Sequence, residues 1–316
     1  MRVAFIDTVH PALEEELRRN GYVCDEFYHA SKEEMKMAVR EYDGIVIRSR
    51  FRMDEDFLQH AVHFNFIARS GAGMENIELE YCKKRNIICF NSPEGNADAV
   101  GEHTVAMLLA LFNNIIRADA EVRKGIWERE GNRGYELQGK TVGIIGFGNM
   151  GSAFAKKLRG FDCRILAYDK YKKNFAPEYV NEVSLEQLMS VSDILSLHIP
   201  INDETNYLVN ADFISRMKKP FFLLNTARGK NVNTNDLTEG IKSGKVLGAC
   251  LDVLEYELAS FEKLDIHQLP EAFQYLIKSD KVVLSPHIAG WTFESYRKLS
   301  SFLAEKIIGK FGSFIV

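Results

Sequence analysis

The chain has 316 residues, 46% of them apolar and 27% charged, with a formal net charge of −4 and a pI near 6.1. That length exceeds what one core usually fills and predicts two domains, while the scattered basic residues, whose one dense cluster is the short stretch Lys170 to Lys173, exclude a nucleic-acid partner. The opening Met1 to Asp7 is too short an apolar run for a signal sequence, and no stretch reaches bilayer length. Five cysteines (Cys24, Cys82, Cys89, Cys163, Cys250) lack C-x-x-C spacing and read as reduced core residues. A cytoplasmic protein is expected, with no membrane association and no metal.

In the first hundred residues short apolar runs alternate with amphipathic stretches. Strands are predicted at 3–6, 22–27, 44–47, 65–68 and 87–90, with helical pattern between them, for example at 11–20 and 31–41. Such a βαβ series implies a parallel sheet with helices on both faces. One long helix is expected over 97–124; its apolar run Val105 to Phe112 suggests burial between two bodies and a connector role. From Lys140 a second series supplies six strands, at 141–146, 164–169, 193–199, 221–225, 247–251 and 282–285, and the tail 292–310 reads as an amphipathic helix. The fold class expected is α/β, with two doubly wound parallel-sheet domains.

Gly146-Phe147-Gly148-Asn149-Met150-Gly151 stands directly behind the apolar run Thr141 to Ile145, and the next apolar run ends on Asp169, eighteen residues past the last glycine. This is the spacing of a dinucleotide site. Gly146 permits a tight turn out of the strand, Gly148 lets backbone amides approach a pyrophosphate, and Gly151 lets the next helix lie close to the sheet. The phosphates then sit on a helix N-terminus. Asp169 accepts hydrogen bonds from ribose hydroxyls and repels a 2′-phosphate, favouring NAD over NADP.

Three polar residues follow strands at their carboxyl ends, where open α/β sheets bind ligands. Arg228 follows Leu223 to Ala227, Glu257 comes shortly after Leu251-Asp252, and His287 follows Val283 to Pro286. Reduction of a 2-oxo acid needs a cation on the substrate carboxylate and an acid for the forming alkoxide. Arg228, whose guanidinium forks onto a carboxylate, suits the first task, and His287 suits the second. Glu257, bonded to the other imidazole nitrogen, would favour the protonated ring. Glu255 is a competitor for that place. Asp252 either orients the nicotinamide side of the site or caps its loop.

Ser70-Gly71-Ala72-Gly73-Met74-Glu75-Asn76, Gly146 to Gly151, His198-Ile199-Pro200 with Thr205, Asn225 to Gly229, Leu251-Asp252-Val253 and Ser285 to Gly290 together resemble the D-isomer-specific 2-hydroxyacid dehydrogenase family over nearly the whole chain. The resemblance implies Arg228, Glu257 and His287 as the catalytic Arg, Glu and His. It implies a flavodoxin-like substrate-binding domain, 1–97 plus 291–316, and a Rossmann NAD-binding domain, 98–290. It also implies a homodimer with the connector helices in its interface, and cofactor contacts at Ala72, Gly146, Gly148, Asn149, Met150, Gly151, Asp169, His198, Ile199, Pro200, Thr205, Thr226, Ala227, Asp252 and Gly290. Amides around Ser70 and Gly71 would meet the substrate carboxylate.

The chain departs from the family pattern at two places. Leu258 replaces the usual Pro after the Glu, in a longer Glu257 to His287 segment, and Gly229-Lys230-Asn231-Val232-Asn233-Thr234 removes two acids and adds a base near the cofactor. Within the family the surroundings of Arg48, Arg69 and Arg129 are most similar to 3-phosphoglycerate dehydrogenases, where such arginines hold the substrate phosphate. That implies 3-phosphoglycerate and 3-phosphohydroxypyruvate as substrate pair, hence serine biosynthesis, without a C-terminal regulatory domain. The alternatives are that Arg48 and Arg69 hold loops and the substrate is glyoxylate, hydroxypyruvate or another D-2-hydroxy acid, or that the chain is an NAD-sensing protein like the co-repressors of this fold.

Overall fold

The computed structural model describes residues 1–257 and 269–315. It divides into two compact units, Met1–Ala97 with Trp291–Val316, and Asp98–Gly290.

In the first unit, β1 (Arg2–Phe5), β2 (Val23–Glu26), β3 (Gly44–Ile47), β4 (Phe66–Arg69) and β5 (Ile88–Phe90) form a wholly parallel sheet in the order β2-β1-β3-β4-β5. This is the flavodoxin-like doubly wound order. Alternation along each strand feeds two cores, as a period of two requires. Ala4, Ile6, Ile45, Ile47 and Ile67 pack with Met35 and Phe57. Val3, Phe5, Val46, Phe66 and Ala68 pack with Leu13, Leu17, Leu303 and Ile307. The last two belong to helix Phe293–Phe311, which explains why the end of the chain folds with its beginning. That helix opens on a capping box in which Thr292 Oγ1 accepts from the Ser295 amide and Ser295 Oγ from the Thr292 amide.

Among the described residues the second unit has seven parallel strands: β6 (Thr141–Ile145), β7 (Arg164–Tyr168), β8 (Asn181–Glu182), β9 (Ile194–Leu197), β10 (Phe221–Asn225), β11 (Val246–Leu251) and β12 (Val282–Leu284). Their order is β12-β11-β10-β9-β6-β7-β8. The direction of winding reverses between β6 and β9, so the loops after these strands diverge at the carboxyl edge and leave a crevice there. Six strands were expected. The seventh, β8, is two exposed polar residues on the sheet edge, too short for any hydrophobic pattern to announce.

The single helix expected over 97–124 is two, Ala97–Phe112 and Ile115–Val122, bent by 59°. The break sits at Asn114, with φ +51°, a left-handed conformation that Asn tolerates better than most residues. Its side chain donates to the carbonyls of Asn132 and Arg133, and Phe112 O accepts from the Tyr135 amide, so a returning segment satisfies the helix end. Met107, Leu108, Leu111 and Phe112 lie within the second unit's own core, beside Phe222, Leu224 and Val283. Among the described residues no single helix is long and apolar enough to cross a membrane.

Candidate active site

Each fingerprint glycine has a distinct physical reason. Gly146 leaves β6 with φ +89°, and a Cβ there would lie 2.4 Å from His198 O. At Gly151 a Cβ would lie 2.1 Å from Gly146 O, so helix Asn149–Lys157 could not seat on its own loop with any side chain there. Gly148 faces open space and caps that helix without a side-chain bond, leaving first-turn amides to an anion. Asp169, just past β7, accepts at Oδ2 from the Phe147 amide (2.9 Å) and at Oδ1 from the Tyr171 and Lys172 amides (3.0 and 3.2 Å). Three of about four acceptor sites on the carboxylate are thus engaged, and one remains for a ribose hydroxyl. The loop, the bare helix start and the acid fit an adenine dinucleotide.

Three loops at the carboxyl edge of the same sheet carry Arg228, Glu257 and His287, the residues expected to act on a substrate. After β10, Asn225 is fully buried and spans its own turn, accepting from the Ala227 amide and donating to Arg228 O. The Arg228 amide donates to Asn231 Oδ1 (3.1 Å), and its Nη1 to Ala227 O (2.6 Å). Gly229 follows because a Cβ there would lie 2.0 Å from Leu254 O. The loop after β11 therefore packs directly on the Arg228 loop. Glu255 turns away from the dyad: its oxygens accept from Tyr207 OH (2.7 Å) and the Thr234 amide (2.9 Å). Glu257 Oε2 lies 3.1 Å from His287 Nδ1, with both side chains mostly buried.

His287 has φ +56°, a strained conformation for a residue other than glycine. Asp252 holds it there. The amides of His287, Ile288 and Ala289 donate in turn to Asp252 O (2.7 Å), Oδ1 (2.9 Å) and Oδ2 (2.9 Å), and Ser285 Oγ donates to Oδ1 (2.6 Å). The carboxylate is 1% exposed. Burial opposes its charge, but bonds from His103, Ser285 and the Ala289 and Ile288 amides outweigh that and hold the carboxyl below its ordinary range.

Comparison with known proteins now decides the family. Residues 105–289 match the model of the D-isomer specific 2-hydroxyacid dehydrogenase NAD-binding domain. The chain is 35% identical to a hydroxypyruvate reductase of Thermotoga maritima, over 90% of each chain, and 34% identical to a D-3-phosphoglycerate dehydrogenase of Archaeoglobus fulgidus, over 98% of this chain and 57% of that one. Several glyoxylate reductases also match. A D-lactate dehydrogenase of Aquifex aeolicus solved with NAD and lactic acid superposes with a TM-score of 0.81 at 28% identity, covering 98% of this chain and 95% of that one.

The chain belongs to the D-isomer specific 2-hydroxyacid dehydrogenase family. It is an NAD-dependent oxidoreductase, and residues 105–289 form its NAD-binding domain.

The other expected positions in this dehydrogenase lie in four segments of the second unit and in the first unit. Met150 lies in the first turn of the fingerprint helix, and Thr226 and Ala227 in the Arg228 loop. Ile199, Pro200 and Thr205 form the turn after β9, closed by Thr205 Oγ1 on Pro200 O (2.7 Å). The His198 ring bonds Ser196 Oγ (2.8 Å) and lies 5.4 Å from the Phe154 ring, and burial pushes its pKa down to about 3, so any cofactor contact there falls to its backbone. Gly290 closes the His287 loop.

In the first unit the Ser70 amide is engaged with Ile47 O (2.8 Å), which narrows the expected anion-binding amides to those from Gly71 onward, Ala72 included. Ser70 Oγ is buried with no partner. Arg69 Nε donates to Arg48 O (3.2 Å), and the Arg48 guanidinium sits 4.5 Å over the Trp291 ring. Arg129 is exposed in a turn of the second unit, where its carbonyl accepts from the Asn132 amide.

Two residues escaped the sequence reading. Asn231, fully buried, ties the Arg228 amide to Pro200 O and Thr205 O. His103 meets Ser285 Oγ at 3.0 Å from helix Ala97–Phe112. His103 lies far along the chain from both strand-end charges, and Asn231, though close to Arg228, shows its tie to Pro200 and Thr205 only in the fold.

Proposed function

We propose that this dehydrogenase interconverts a D-2-hydroxy acid and its 2-oxo acid, with His287 as acid and base, Glu257 as its partner and Arg228 on the substrate carboxylate. The 3.1 Å approach of Glu257 Oε2 to His287 Nδ1 carries the reading. With Nδ1–H given to the carboxylate, Nε2 is the nitrogen that moves the proton. When bound, NADH supplies the hydride that reaches the carbonyl carbon. The Arg228 guanidinium forks onto the carboxylate and draws electron density toward the carbonyl oxygen. As that C–O double bond becomes single, His287 gives its Nε2 proton to the oxygen; in the oxidative direction the neutral ring takes it back.

The substrate pair we infer is 3-phosphoglycerate and 3-phosphohydroxypyruvate, with Arg48, Arg69 and Arg129 on the phosphate, in serine biosynthesis. Similarity to a D-3-phosphoglycerate dehydrogenase supports this. The partnerless Ser70 hydroxyl supports a polar ligand at the loop after β4. A second reading, hydroxypyruvate or glyoxylate, is favoured by the Arg69 bond to Arg48 O, which uses Arg69 to hold a loop. A homodimer belongs to the proposal, supported by the exposed apolar side chains Ile115, Ile116, Val122, Ile126 and Trp127, the last 79% exposed. The unpaired, buried thiols of Cys24, Cys82 and Cys250 suit a reducing cytoplasm.

The test follows NADH oxidation with 3-phosphohydroxypyruvate, hydroxypyruvate, glyoxylate and pyruvate in parallel. The highest kcat/KM on the phosphorylated acid is the result expected. A higher value on hydroxypyruvate or glyoxylate selects the second reading, and no turnover of any 2-oxo acid overturns both.

A further inference from the structure

We propose that His103 is a positioning residue for the acid–base histidine, acting through Ser285 and Asp252; this rests on the reading of His287 as the proton carrier. His103 Nε2 lies 3.0 Å from Ser285 Oγ and 3.5 Å from Asp252 Oδ1, and its side chain is 24% exposed. The directions of the bonds follow from the atoms. Asp252 only accepts, so the one Ser285 hydroxyl hydrogen goes to Oδ1 at 2.6 Å. The lone pairs of Ser285 then face His103, which presents Nε2–H. The imidazole is the outer end of a chain running from helix Ala97–Phe112 to the carboxylate.

What that chain secures is a strained loop. His287 holds φ +56° because three successive amides, 287 to 289, converge on Asp252, and such a conformation persists only where its surroundings over-determine it. Ser285 is two residues before His287 and bonds the same carboxylate. Without a donor at position 103, Ser285 Oγ loses the N–H that fixes the direction of its own bond to Oδ1, and the strained loop loses one of its ties.

The same helix braces the other catalytic loop. Thr104, fully buried, meets Thr226 Oγ1 at 3.2 Å, two residues before Arg228, and Met107 Sδ lies 3.5 Å from Ser285 Oγ. Residues 103, 104 and 107 of one helix therefore touch the residues standing two before Arg228 and two before His287. The helix sets the spacing between the two catalytic loops, with His103 as its link to the proton-transfer side.

The experiment compares wild type, His103→Phe, His103→Gln and His287→Ala as full-length proteins. Turnover of the best 2-oxo acid is measured across pH and normalised to NADH-binding sites counted by fluorescence titration. His103→Phe is expected to lose about tenfold or more in kcat per site, with the NADH dissociation constant unchanged and the midpoint of the pH profile displaced. Both return toward wild type in His103→Gln, whose amide supplies the missing donor. A wild-type kcat and midpoint in His103→Phe overturn the inference. So does a profile merely scaled down without displacement and equally low in His103→Gln, the mark of a packing role. A His287→Ala protein that still turns over removes the acid–base reading itself, a failure visible apart from either of these.

Discussion

Both units are doubly wound parallel sheets that end in loops rich in polar residues, yet the two sets of loops are in different states. In the second unit the buried polar groups near the dyad have partners: Asn225, Asn231 and Asp252 each make several bonds. In the first, Ser70, Asn76, Ser92 and Asn96, and Ser300 on its last helix, each carry a buried side-chain atom with none, whereas among the described residues the second unit has only His198 Nδ1. Buried polar atoms normally find partners, and an orphan costs about 1–3 kcal/mol. The proposed acid–base pair is therefore braced within its own unit, while the other unit carries buried polar groups without a protein partner. On the proposed function the lesson is a division of labour: one unit with its polar loop groups already bonded, the other with polar groups open to a ligand.

The strongest test of the assembled side is His287→Ala. Turnover should fall about 10²–10⁴-fold, the usual contribution of a general acid, while NADH titration stays near wild type; equal loss of both would show that the ring serves the dinucleotide instead. Asp252→Asn comes next. Its amide nitrogen would face backbone donors that now point at an oxygen, at a cost of about 1–3 kcal/mol, read by chemical denaturation. The pH sign is definite. Because the folded carboxyl is held below its ordinary value near 3.8, its stabilisation is present above that value and lost as pH falls through the folded one. Asp252→Asn should lack this acid limb; a full limb in the variant would assign it to other carboxyls.

His198 gives a graded effect of the same sign, spread over a higher pH range. Its folded pKa of about 3, against 6.5 ordinarily, means the unfolded ring takes up a proton that the buried ring refuses. Stability is full above pH 6.5 and should decline by roughly 1.4 kcal/mol per pH unit below it. His198→Gln should flatten the slope between pH 6.5 and 4.5, and an unchanged slope would move its cause elsewhere.

The least loss belongs to the open side. Ser70→Ala removes a hydroxyl that has no partner, so stability should hold or rise, by no more than the about 1–3 kcal/mol such an orphan costs, with KM for the 2-oxo acid raised and kcat held. A clear loss of stability instead would show the hydroxyl to be bonded in the free protein, and the contrast between the two sheets would shrink.

Local signals were enough for much of this. Gly146 to Gly151 and Asp169 act through their own backbone and the strand beside them, so spacing alone marked them. Arg228 and His287 were legible because each directly follows an apolar run. The pairing of Glu257, and not Glu255, with His287 was ambiguous along the chain and resolved only because Tyr207 and Thr234 claim Glu255. His103 escaped altogether, since its partner lies 182 residues away, and Asn231 was missed because, besides the nearby Arg228 amide, it joins carbonyls 26 and 31 residues away.

Periodicity and spacing by themselves established the two parallel sheets, the dinucleotide loop and the strand-end charges, because each depends on neighbours within about a dozen residues. The bend at Asn114, the two-residue edge strand, the partner of His287 and the buried scaffold behind it came only with folding. Those features are fixed by hydrogen bonds between segments far apart in the chain, and a polar side chain carries no local mark of which distant donor will reach it.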